Sequence, residues 1–144
     1  MTQTLHSSLV KPTLQTPFHI DFDWWQKNER DWRVYLHSYL CPEHKVLFAD
    51  WEFAEGVDWV DPETAEVHSV DGLQHVLMTH CARQEGFITQ QTALVDSMFR
   101  MFLANGNTSL TPIEMAEHLG RQPIIILKTL SGGRVYKGLR PCLG

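Results

Sequence analysis

Apolar residues recur along this chain at two spacings. Three-to-four-residue spacing dominates and two-residue alternation is confined to short runs, which predicts a mainly helical protein with a small β-hairpin, an α+β class. Phe18, Ile20 and Phe22 alternate as an extended lead-in, and Asp23 is placed to cap a helix reaching about Leu40, with Trp25, Trp32, Leu36 and Tyr39 at helical spacing. A second short helix is expected from Pro42 to near Asp50. Val57 to Val60 and Glu66 to Val70 are β-prone runs flanking Asp61-Pro62-Glu63-Thr64, a turn composition, so they predict a hairpin. Asp71 is expected to cap a helix to about Arg83, and Thr89 another from Gln90 to Ala104 that ends at Asn105-Gly106. The latter carries Leu94, Val95, Met98, Phe99, Phe102 and Leu103 around much of its circumference, as a central core helix does.

Local signals are densest from Ser109 to Gly144. Thr111 can cap a helix with Pro112 at its first position and Glu114 three residues after the cap, a reciprocal capping box, while Leu110 and Met115 fit a hydrophobic staple. Ala116 permits close helix crossing, Gly120 supplies a left-handed turn, and Pro123 restarts a helix through Ile126 to about Ser131.

With Ala116, Gly120 four residues later and apolar Ile126 ten later, this segment resembles the winged helix-turn-helix modules of bacterial regulators, over about a quarter of the chain. The resemblance implies a recognition helix from Gln122 or Pro123 to Ser131 and a hairpin wing built from Gly132-Gly133 and Arg134 to Arg140. It also implies a nucleic-acid-binding set: Gln122, Lys128 and Thr129 from the helix, and Arg134, Lys137 and Arg140 on phosphates. Against base readout, Ile124 to Leu127 is an unbroken apolar run followed by Leu130, which leaves that helix little polar circumference for a groove. The expected function is therefore non-catalytic binding, with DNA the favoured partner and protein interaction or self-association the alternative.

Length and charge refine this picture. A chain of 144 residues can bury a core without disulfides, and it reads as a flexible arm over 1–17, a helical layer with an acidic hairpin over 18–88, and a winged-helix-like unit over 89–144, together one compact domain. Net charge is −5, which argues against a protein that coats nucleic acid. From Ser109 onward, however, Arg121, Lys128, Arg134, Lys137 and Arg140 stand against Glu114 and Glu117, a local +3, and the remainder carries −8. Residues 1–17 are polar, without the apolar core of a secretory leader, and no stretch approaches the roughly 20 apolar residues of a membrane span, so a cytoplasmic protein is expected.

Candidate chemistry lies in sulfur and imidazole. Cys41-Pro42-Glu43-His44 places a thiol and an imidazole three residues apart at a helix start, and His80-Cys81 supplies a second pair. Zn²⁺ prefers four Cys and His ligands, so Cys41, His44, His80 and Cys81 form a candidate structural zinc site, with His37 and His75 as substitutes and Cys142 apart from it. Adjacent residues on a regular helix point about 100° apart, so His80 and Cys81 can both bind only at a helix end or kink. The other reading of three cysteines is buried free thiols in a reducing compartment. A thiolate-imidazolium pair, Cys41 with His44 or Cys81 with His80, is the catalytic alternative. No Gly-rich phosphate loop, nucleophile elbow or His-Glu-x-x-His stretch supports it, and the hairpin carboxylates Asp58, Asp61, Glu63 and Glu66 read as solvent-facing.

Overall fold

In chain order the elements are β1 (Phe18–Ile20), α1 (Phe22–Asn28), α2 (Trp32–Ser38), α3 (Pro42–Leu47), β2 (Val57–Val60), β3 (Val67–Val70), α4 (Gly72–Thr79), a 3-10 turn (Cys81–Arg83), α5 (Leu94–Ala104), α6 (Pro112–Leu119), α7 (Pro123–Leu130) and β4 (Leu139–Pro141). They come from a computed structural model that describes residues 11–48, 57–60 and 62–142. The mainly helical class with a small antiparallel hairpin is as the apolar spacing requires. Contacts group into two compact units, 29–87 on one side and the residues up to Asn28 with Ile88–Gly144 on the other. Residues 18–28, grouped by sequence with the helical layer, thus belong with the C-terminal helices.

In the unit of residues 29–87, α2 packs on α4 through a core of Leu36, Tyr39, Leu40, Leu73, Leu77, Cys81 and Ala82. Asp71 begins α4 by accepting from the backbone N–H of Leu73 and Gln74, and its other oxygen lies 2.9 Å from Arg33 Nε on α2. The acidic hairpin forms in the expected place, with Val57 opposite Val70 and Val60 opposite Val67. Asp61, in its turn, lies outside the described residues.

The other unit is built around α5, whose Met98, Phe99, Met101, Phe102 and Leu103 are buried, with Trp25 edge-on to Phe99 at 5.3 Å. Thr111 and Glu114 close the capping box on α6, and Gly120 ends that helix at φ +63°. A residue with a Cβ adopts that left-handed conformation at a cost, which is why glycine stands there. Pro123 then opens α7, whose Ile126 is fully buried.

Several expectations need correction. The helix expected from Asp23 to Leu40 is two: Asp21, not Asp23, accepts the Trp24 N–H, and Asn28 Nδ2 donates to the Trp24 carbonyl, ending α1. Thr89 does not cap a long helix, because α5 starts only at Leu94; the Thr89 N–H donates instead to Thr92 Oγ1, a local turn that competes with helical bonding. The helix expected to reach Arg83 stops at Thr79 and continues as the 3-10 turn. The segment from Arg134 to Arg140 makes no hairpin with itself. β4 pairs antiparallel with β1, Phe18 opposite Pro141 and Ile20 opposite Leu139, so this strand buries Leu139 beside apolar residues from the start of the chain. Residues 1–10 of the expected arm lie outside the described residues, and the rest includes a turn in which Thr16 N–H donates to the Thr13 carbonyl.

Candidate metal centre

Proline 42 fixes the first half of the site. A residue before proline is held extended, and Cys41 has φ −67° and ψ 159°, the N-cap conformation of α3. Its carbonyl accepts the Lys45 N–H, closing one helical turn that carries His44 to the same side as the thiol. Cys41 Sγ and His44 Nδ1 are 3.1 Å apart.

The break after α4 fixes the second half. His80 is the C-cap of α4, at φ −126° and ψ −64°, outside helical geometry, and it leads directly into the 3-10 turn that starts at Cys81. That break frees the pair from the roughly 100° divergence of adjacent residues on a regular helix. The His80 ring sits 4.4 Å from the His44 ring, centroid to centroid, and Cys81 Sγ lies 3.3 Å from Cys41 Sγ and 3.6 Å from His44 Nδ1. Ligand atoms of Cys41, His44 and His80 all lie within 4.8 Å of one another, close enough to hold a metal ion. Gln84, on the following turn, places its Nε2 3.0 Å from His80 Nε2 and can steady the ring.

These separations suit a tetrahedral ion. Metal–sulfur bonds of about 2.3 Å and metal–nitrogen bonds of about 2.0 Å put two sulfurs roughly 3.8 Å apart and a sulfur and nitrogen roughly 3.5 Å apart. The spacings among Cys41, His44 and Cys81 differ from these by about half an ångström or less, and the His80 nitrogen lies within 4.8 Å of the Cys41 and His44 ligand atoms. Burial pushes the Cys81 thiol up from 9.0 to about 11, and the neighbouring Cys41 thiol adds to the rise against backbone hydrogen bonds that lower it. Without a cation, then, Cys81 keeps its proton at neutral pH; a cation displaces it.

Three of the four expected metal-site residues, Cys41, His44 and His80, form one ligand group, and Cys81 lies beside Cys41 and His44 but outside that group. His37 and His75 do not belong to the described metal-ligand group, and Cys142 sits in the unit with α5. The sequence missed Gln84, for which no spacing rule gave a signal.

The expected nucleic-acid-binding set is scattered in its engagements. Arg140 Nη1 lies 2.9 Å from Asp21 Oδ2, and its guanidinium stands 5.2 Å over the Trp24 ring. Lys137 Nζ lies 5.9 Å over the Phe99 ring, and Thr129 Oγ1 donates to the Ile125 carbonyl. Gln122 is the exposed N-cap of α7 and makes no side-chain capping bond. Lys128 is exposed, as is Arg134, whose guanidinium lies 5.5 Å over the Tyr136 ring. The helix that carries Lys128, α7, also presents Ile124 and Ile125, each 45% exposed. An open cleft of about 640 Å³ adjoins the end of α6, lined by Thr89, Ser97, His118 and Arg121 among others. Ser97 Oγ and Arg121 Nη2 both donate to the Thr92 carbonyl there, so these polar groups serve the fold.

Among the described residues, no helix is long and apolar enough to cross a membrane. Comparison of the chain with protein-family models, curated proteins and solved structures finds no match.

Proposed function

We propose that this protein is a non-catalytic binding protein whose unit of residues 29–87 is held together by a structural zinc ion. Cys41, His44, His80 and Cys81 would be the four ligands, which leaves no position open for a reactive water. The convergence of Cys41, His44 and His80 from two segments carries this reading. Support comes from α3, which buries no residue of its own and leaves Val46 and Leu47 76% and 70% exposed. A six-residue helix without a core face gains little from packing, and a metal bridge to the 3-10 turn supplies the missing anchor. Cobalt substitution tests the coordination. Absorption bands of tetrahedral Co²⁺ with sulfur-to-metal charge transfer are expected, and purely octahedral aquo-type spectra overturn the reading.

For the binding partner, the apolar face of α7 favours a protein over duplex DNA. Ile124 and Ile125 occupy the surface that a groove-reading helix needs for polar side chains, and Arg140 is neutralised by Asp21. The partner that fits is a protein surface with an apolar centre and carboxylates opposite Lys128 and Arg134. DNA affinity of phosphate origin falls steeply with added salt, whereas an apolar protein interface is nearly indifferent. Low-salt gel shifts on mixed duplex are expected to be negative. A shift that disappears with salt and is lost when Lys128 and Arg134 are changed to alanine restores the DNA reading.

A further inference from the structure

Cys41 and Cys81 sit in separate helical segments, yet their sulfurs lie 3.3 Å apart without being bonded. A disulfide needs about 2.05 Å between sulfurs, so closing this gap takes a little over an ångström, within what two side-chain torsions supply. The two thiols differ in access: Cys81 is buried and Cys41 is half-buried at the N-cap of α3. An oxidant from solvent therefore reaches Cys41 first, with Cys81 waiting behind it.

We propose that Cys41 and Cys81 are a reversible redox modification site, oxidised by hydroperoxides to a disulfide that expels the metal. The chemistry balances in two steps. Cys41 sulfur attacks the outer oxygen of the hydroperoxide; the O–O bond breaks, Cys41 becomes a sulfenic acid and the alcohol, or water from hydrogen peroxide, departs with a proton. Cys81 sulfur then attacks the sulfenic sulfur, the S–O bond breaks, and water leaves with the Cys81 proton. The sulfur pair gives up two electrons to the peroxide oxygen pair. A dithiol reductant reverses the change by exchange, taking up the disulfide as its own.

The consequence for the metal rests on the zinc reading above. Bonded to each other, both sulfurs leave the donor set, and His44 and His80 alone make a far weaker zinc site. The redox site would thereby set whether α3 stays anchored to the 3-10 turn through the ion or through the sulfur bridge. Cys142 belongs to the other unit, and the proposal assigns it no part.

The test treats the full chain with equimolar hydrogen peroxide, once as purified and once after stripping with a chelator. Peptides are mapped without reduction, and released zinc is read with a chromogenic chelator. The expected result is a Cys41–Cys81 cross-linked peptide lighter by two hydrogen atoms, free thiols falling from three to one, and recovery with dithiothreitol. Release of one zinc per disulfide from the as-purified sample supports the whole proposal. A disulfide in both samples with no zinc in either retains the redox site and removes the metal reading. Sulfinic or sulfonic acid at Cys41 without the cross-link, in the stripped sample, overturns the redox site, as does a cross-link that involves Cys142. A Cys142→Ser chain gives the same map if the proposal holds, and the wild-type map decides should that variant not fold.

Discussion

The Arg140 guanidinium meets the Asp21 carboxylate at 2.9 Å, tying the strand near the end of the chain to the residue that starts α1. Asp21 uses its other oxygen to accept the Trp24 N–H, so one carboxylate serves both a helix cap and an ion pair. Both side chains are about 30% exposed, which keeps the pair itself worth about 1 kcal/mol or less. Arg140→Ala is therefore expected to cost about 1 kcal/mol in urea unfolding, including its contact with Trp24, and Asp21→Ala about 1–2 kcal/mol through the lost cap. Equal and negligible effects from both would show that neither contact persists in solution.

A second long-range tie is stronger. Asn107 Oδ1 accepts the Ile20 N–H and Asn107 Nδ2 donates to the Ile20 carbonyl, each at 2.9 Å, so one side-chain amide mimics a strand partner. Asn107 stands at φ +61°, a conformation asparagine tolerates better than most residues. Asn107→Gly keeps the backbone but loses both bonds, and should cost about 1–3 kcal/mol. Asn107→Ala should cost about 1 kcal/mol more, measured in the same denaturant series.

Gly138 lies where β4 approaches α1. At φ +76° its added Cβ would meet the Asp21 carbonyl oxygen and Trp25 Cβ, each at 3.0 Å, both fixed parts of the fold. Gly138→Ala should destabilise by roughly 2–4 kcal/mol, through strain and displacement of the strand. Gly120→Ala, with open space around its Cβ, should cost only about 1 kcal/mol. Thermal melts of the two variants check the order.

How much of this was legible beforehand depends on how local the determinant is. The capping box at Thr111 and Glu114, the left-handed Gly120 and the Pro123 restart are interactions within a few residues, and all formed as the sequence implies. Partnership across the chain was not legible. Nothing near Leu139 says that its strand will choose Phe18–Ile20 over a hairpin of its own. That choice is made by burial of Phe18, Ile20 and Leu139 together. The grouping of Cys41, His44 and His80 was legible as residue types; the break at His80 that ends α4 and leads into the 3-10 turn was not, and Cys81 stays outside that group.

The raised Cys81 thiol makes a pH prediction for metal-free protein. Because its folded value, about 11, exceeds the ordinary 9.0, its contribution to stability is complete below pH 9 and is lost as pH climbs toward 11. Chelator-treated protein should lose stability over that window in urea unfolding. Cys81→Ala should lessen this loss, the remainder coming from Cys142, whose thiol is also pushed up by burial; an undiminished loss in the variant would assign it to another group. Metal-loaded protein, whose sulfur is already a thiolate, should lack this loss and instead weaken as acid protonates the ligands.

The central claim is that Cys41, His44, His80 and Cys81 hold one zinc ion. Zinc content of the purified chain, measured by inductively coupled plasma mass spectrometry beside Cys41→Ser and His80→Ala chains, tests it most directly. The expected result is one zinc per wild-type chain and clear loss in both variants. Zinc no higher than the buffer in the wild type, even after incubation with the ion under reducing conditions, would contradict it.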